Sequence, residues 1–288
     1  MTGVLAKATA ENPPPIWWRV FNSMDYFEWI LNFNRQELER VLTAAVGNYP
    51  FPFFHLDARP YALKSMTAMV PFNRIPLQKN KGDFDLLMRR ERGIFDIGYA
   101  GYELKAFYHS KNDVITPKHK KQKNIRKYKY QIEKLSQGPC RWIGFIEIHF
   151  FESGNLKSID KIETISTELV ESCVKFGATY AQLFVQLPPQ SDGLLNYDGV
   201  IFYPAKYYNF GKDRIRGIRS VLSLLVTKLI ARKMKKLGEL PGQYNYYCIS
   251  CKKITPLNPG IGIGDYHIAC CCHCLNPLIA DRKTAKSQ

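Results

Sequence analysis

Gly82-Asp83-Phe84-Asp85-Leu86-Leu87-Met88, followed by Gly101-Tyr102-Glu103-Leu104-Lys105-Ala106-Phe107, decides the fold. Both segments are short, apolar and rich in aromatic and aliphatic side chains, and both read as strands. Side chains alternate across a strand, so Glu103 and Lys105 share a face while Leu104 points the other way. Asp83 and Asp85 share a face by the same rule. Seventeen residues (86 to 102) separate Asp85 from Glu103 and include the turn-like Glu91-Arg92-Gly93. That length lets one strand end, turn and return beside itself. With their polar faces matched, Asp85, Glu103 and Lys105 surround one point. Two carboxylates and a lysine suit magnesium-dependent hydrolysis of a phosphodiester. Carboxylate oxygens hold the hard cation, which lowers the pKa of an attacking water. The lysine orients that water or neutralises charge in the transition state.

Outward from this hairpin, the chain alternates helix and strand signals. Ser23 caps a helix whose apolar residues, Tyr26-Phe27, Ile30-Leu31, Leu38 and Val41-Leu42, recur at helical spacing as far as Gly47-Asn48. Residues 62–71 suit either a short strand or a helix. Gly98 and Gly101 mark a bulge or a close approach of backbone. Arg141 to Phe150 reads as a buried strand, with His149 a polar residue near its end; residues 160–176 read as a helix and Tyr180 to Leu187 as another strand. The expected fold class is α/β, a mixed sheet flanked by helices on both sides. A long basic amphipathic helix follows Asp213 and ends at Gly238 and Pro241-Gly242, with core packing its default role. The implied organisation is an arm over 1–22, a main domain over 23–240 and a small module over 241–288.

In Asp85 and Glu103-Leu104-Lys105 the chain resembles the PD-(D/E)xK nuclease superfamily, whose pattern is an Asp at a strand end and Glu-x-Lys on the next strand. The resemblance covers roughly residues 24–190, and Phe84 stands where the motif has Pro. It implies a restriction-endonuclease-like sheet and a metal-dependent endonuclease acting on DNA. Asp85 and Glu103 would hold Mg2+ or Mn2+, with Lys105 at the nucleophile or the transition-state charge. Glu37, on the first helix, is the choice for an additional acid. Asp96 is a rival to Asp85. Gln131 lies near Tyr128 and Tyr130, in an order unlike the Gln-x-x-x-Tyr of one branch of the superfamily, and no role is carried over to it.

The 288 residues carry 41 Lys and Arg against 25 Asp and Glu, a net charge of +16. Such an excess points to an anionic partner, nucleic acid first. It is densest at Lys118, Lys120, Lys121, Lys123, Arg126, Lys127 and Lys129, with no acid among them. Tyr128 is interleaved there as a ring on which a base could stack. No apolar run spans a bilayer and no signal peptide is seen, so no membrane partner and a cytoplasmic setting are expected.

Six of the eight cysteines fall between 248 and 274. Cys248-Ile249-Ser250-Cys251 and Cys271-Cys272-His273-Cys274 are two C-x-x-C pairs separated by nineteen residues (252 to 270), the spacing of a structural zinc ribbon. Cys270, Cys272, His267 and His273 are the substitutes for a thiolate in the set. The competing function is a non-catalytic zinc-ribbon protein that binds nucleic acid or serves as a scaffold. Cutting both strands of a duplex would call for two sites, hence a homodimer or a protein partner.

Overall fold

The computed structural model describes residues 6–7, 62–92, 96–109, 122–151, 167–186, 201–208, 219–242, 244–256 and 271–275. The Ser23–Gly47 helix with Glu37, and Lys118, Lys120 and Lys121, lie outside these. Nine strands form one sheet: β1 (Ala6–Lys7), β2 (Ala62–Pro71), β3 (Asp83–Arg92), β4 (Asp96–His109), β5 (Trp142–Phe151), β6 (Thr179–Gln186), β7 (Ile201–Tyr208), β8 (Tyr244–Tyr247) and β9 (Ile254–Pro256). Their order across the sheet is β1-β7-β6-β5-β4-β3-β2-β8-β9. Among the described residues three α-helices accompany them: α1 (Gln122–Ser136), α2 (Thr167–Phe176) and α3 (Arg219–Leu237).

The sheet is mixed. β4, β5 and β6 run parallel, with Lys105 opposite Glu147 and Glu147 opposite Gln182, while β3 pairs antiparallel with β4 and β6 with β7. Parallel neighbours need a crossover, and α1 and α2 supply those between β4, β5 and β6. Because β4, β5 and β6 follow one another in one direction across the sheet, right-handed crossovers put both helices on the same face. The packing agrees: Tyr128 of α1 packs on Phe145, and Leu169 and Cys173 of α2 share one buried cluster with Tyr128, Phe145 and Tyr180. The helical spacing of Ile125, Tyr128, Ile132 and Leu135 makes the buried stripe of α1, and Leu169 and Cys173 that of α2. On the opposite face Met66, Ala68, Leu86, Met88, Ala100, Tyr102, Leu104, Ile146 and Ala181 are buried as well. A sheet with parallel central strands is covered on both sides, which is why these strands read as continuous apolar runs.

Residues 62–71, ambiguous between helix and strand in the sequence, form a ten-residue strand inside the sheet. After the turn at Pro241-Gly242 the chain returns to the sheet. β8 pairs in parallel with β2 at Met66↔Tyr244, Thr67↔Asn245 and Ala68↔Tyr246, and β9 extends the sheet beyond it. A buried carboxylate closes this junction. Glu239 accepts hydrogen bonds from Thr67 Oγ1 (2.7 Å), Ser65 Oγ (3.2 Å) and Tyr99 Oη (3.4 Å), tying the end of α3 to β2 and β4. Gly101 answers a close approach: a Cβ there would lie 2.5 Å from the Phe84 ring.

Candidate functional site

The β3–β4 ladder stops at Leu86↔Tyr102, one residue short of Asp85. Across the other edge of β3, Met69 stands between Ala68, paired with Leu86, and Val70, paired with Phe84. Met69 has φ +57°, a left-handed conformation that costs a non-glycine residue about 1–3 kcal/mol. Beyond the last β3–β4 pair, the Asp85 side chain reaches across to β4. Asp85 Oδ2 accepts the amide of Leu104 at 2.6 Å, the peptide that joins Glu103 to Lys105.

Glu103 and Lys105 share a face of β4, as alternation requires, and Lys105 Nζ donates to Glu103 Oε1 at 2.6 Å and to the Leu104 carbonyl at 3.0 Å. All three ionisable residues are buried. A buried carboxylate–ammonium pair holds only with further hydrogen bonds, and α1 provides one: Gln131 Nε2 also donates to Glu103 Oε1. Lys105 Nζ stands 5.9 Å from the centre of the Tyr128 ring, a cation–π distance. Asp96, at the far end of β4 opposite Arg92, is seven residues from Glu103, about 23 Å along a strand; it takes no part.

Tyr128 is a correction. It is 1 % exposed, sealed between Lys105 and Phe145, so it cannot stack on a base. Helical geometry turns position 128 inward with Ile125 and Ile132, and the exposed ring is Tyr130, 57 % accessible, with Lys134 Nζ 4.4 Å from its centre. Arg126 and Lys127 are exposed on α1. Lys129 is engaged with Glu168 at 3.6 Å. Lys123 lies in the first turn of α1.

The sequence reading carried no role over to Gln131 and missed the polar row beside Lys105. On β5 and β6, Glu147 Oε2 accepts from Tyr180 Oη (3.0 Å) and Gln182 Nε2 (3.0 Å), with His149 Nε2 at 3.2 Å. His149 is wholly buried within the strand. Burial, then the charge of Glu147, pushes the Tyr180 hydroxyl well above its ordinary range. The same two causes, in the same order, raise the Cys173 thiol, which makes it a poor nucleophile. The signal for this row was period-two alternation of Glu147 and His149 inside an apolar strand.

The second site is built by two matching loops. In each, the amide after the second cysteine reaches back to the carbonyl of the first: Lys252 N to Cys248 O and Leu275 N to Cys271 O, both 2.9 Å. Lys252 and Leu275 both have φ +60°. This geometry aims both thiols of each loop inward. The sulfurs of Cys248, Cys251, Cys271 and Cys274 lie within 4.8 Å of one another, with Cys248–Cys274 and Cys251–Cys271 at 3.6 Å. A tetrahedron with metal–sulfur bonds of about 2.3 Å has edges of about 3.8 Å, so the four cysteines can hold a metal ion. Cys272 and His273 stand outside the set, Cys272 beside Thr255 Oγ1 at 2.9 Å and His273 Nε2 3.4 Å from the Ile254 carbonyl. Burial pushes the Cys271 thiol up to about 12, against the pull of the His273 and Cys274 amides. A metal must displace that proton, so its affinity falls as pH drops. Cys270 and His267 lie outside the described residues.

No family model, curated protein or solved structure matches the chain. Among the described residues, no helix is long and apolar enough to cross a membrane.

Proposed function

We propose that this chain is a metal-dependent nuclease of the PD-(D/E)xK type, hydrolysing DNA phosphodiesters from a restriction-endonuclease-like sheet. The observation that carries the reading is the clasp of Asp85 on the Leu104 amide, which sets one carboxylate against the peptide between Glu103 and Lys105. Asp85 and Glu103 would hold Mg2+ or Mn2+; two carboxylates plus waters is the donor set that magnesium takes. The bound cation would supply Lewis-acid activation of water and charge neutralisation. The chain's own residues do the rest. Gln131 and Lys105 fix the rotamer of Glu103, and Lys105 brings an ammonium to the place where negative charge grows on the phosphate. Exposed Arg126 and Lys127, with the general positive charge, bind the backbone. The cysteine quartet takes zinc: four soft thiolates in a tetrahedron select it and leave no open position, so this metal is structural.

The test is cleavage of supercoiled plasmid and of single-stranded DNA with magnesium or manganese against EDTA, wild type beside Glu103→Ala. Metal-dependent nicking that disappears in the variant is the expected result. Tight binding without cleavage by the wild type would return the chain to the non-catalytic binding reading.

A further inference from the structure

α3 buries one side and leaves the other bare. Thr227, Ile230 and Met234 face the core. Opposite them Leu222, Leu225 and Leu229 are 62 %, 53 % and 47 % exposed. Continuing the same spacing of three and four residues brings Arg232 and then Lys236, both exposed. Positions 222, 225, 229, 232 and 236 form one stripe with the 3-4-3-4 spacing of a coiled-coil seam. The stripe runs about 21 Å along the helix, at 1.5 Å per residue. It reads Leu, Leu, Leu, Arg, Lys, and α3 contains no acidic residue at all.

We infer that this outer stripe of α3 docks an amphipathic helix of a partner protein, one that presents apolar residues to the leucines and Asp or Glu to Arg232 and Lys236. Charge excludes a second copy of the chain. A parallel pair sets Arg232 against Arg232 and Lys236 against Lys236. An antiparallel pair centred on the stripe sets leucines against the cations. The net charge of +16 opposes self-association in either arrangement. A nucleic-acid backbone would satisfy the cations and leave three leucines in water. A membrane surface fits no better: its apolar stripe must run the length of the helix, whereas here a flat-lying α3 would press Arg232 and Lys236 into the acyl layer. Leucines and cations placed end to end on one seam ask for a partner that is apolar and acidic in the same order. The docking seam stands whether or not the chain is a nuclease.

The full-length protein is titrated with two synthetic helical peptides carrying three leucines at seam spacing. One continues with two glutamates, the other with two lysines. Saturable 1:1 binding of the glutamate peptide alone is expected, weakened at least tenfold by Leu225→Ser with Leu229→Ser. Arg232→Glu with Lys236→Glu should transfer binding to the lysine peptide. These side chains lie outside the core, and circular-dichroism melts verify folding. Failure of the glutamate peptide to bind, or equal binding of both peptides, overturns the inference. So does seam-dependent binding to phosphatidylserine vesicles, or a dimer that the serine variants dissolve.

Discussion

Asp85 carries two separable duties, one to the backbone and one to the proposed cation. The Leu104 amide has lost its ladder partner and depends on the carboxylate, a charge-assisted bond worth about 1.5–3 kcal/mol. Asp85→Asn keeps an acceptor for that amide but weakens the cation ligand. Asp85→Ala removes both and strands a buried donor. In denaturant titrations Asp85→Asn should stay within about 1 kcal/mol of wild type, while Asp85→Ala loses about 1–3 kcal/mol. Both should reduce cleavage to the level seen in EDTA. Equal stability of the two variants would show that the clasp contributes nothing to the fold. That Glu103 and Lys105 share one face of β4 was legible, because alternation along a strand is a local rule. The part Gln131 plays was not, because the crossover sets the rotation of α1 over the sheet and the order of Gln131 with Tyr128 and Tyr130 departs from the superfamily's pattern. Tyr128 was misread for a related reason: a basic run looks like surface until the helical period is applied through it.

Among the elements, the end of α3 is pinned by Glu239 against β2 and β4. Burial raises its carboxyl above the ordinary range, while the Thr67 and Ser65 hydroxyls pull it back. The folded state therefore binds the proton more tightly than the unfolded chain does. Its contribution to stability grows as pH falls through that raised range and is lost as pH rises through it. Glu239→Gln is nearly isosteric and does not titrate. The melting temperature of wild type relative to Glu239→Gln should rise as pH falls from the alkaline side toward the ordinary carboxylate range. A constant difference would mean that the carboxyl titrates normally. No sequence pattern marks Glu239 as buried, since Lys235, Lys236, Gly238 and Pro241 around it read as an exposed helix end. Residues 62–71 were ambiguous because Ser65 and Thr67 interrupt the apolar pattern, and their hydroxyls are the ones that hold Glu239.

Across the molecule, the described strands form one sheet that carries Asp85 on β3 and leads into the cysteine loops. The cysteine loops follow β8, β8 pairs with β2, and β2 pairs with the strand that carries Asp85. Removing the metal proposed for the quartet should therefore loosen more than the loops. With a chelator, or in Cys271→Ser, hydrogen exchange is expected to quicken in 244–256 and 62–71 while 142–151 and 179–186 keep their protection. Unchanged exchange in 62–71 would show that the metal serves the loops alone. The parallel pairing of β2 with β8 also sets an order of assembly. Between Pro71 and Tyr244 the ribosome makes 172 residues (72 to 243), an interval on the order of ten to thirty seconds at the usual pace of synthesis. Throughout it, the nascent chain must shelter β2 as an open sheet edge, a template for mispairing. β8 and β9, made late, close that edge, so a young chain cannot complete the described sheet until its cysteine-bearing end has begun to emerge.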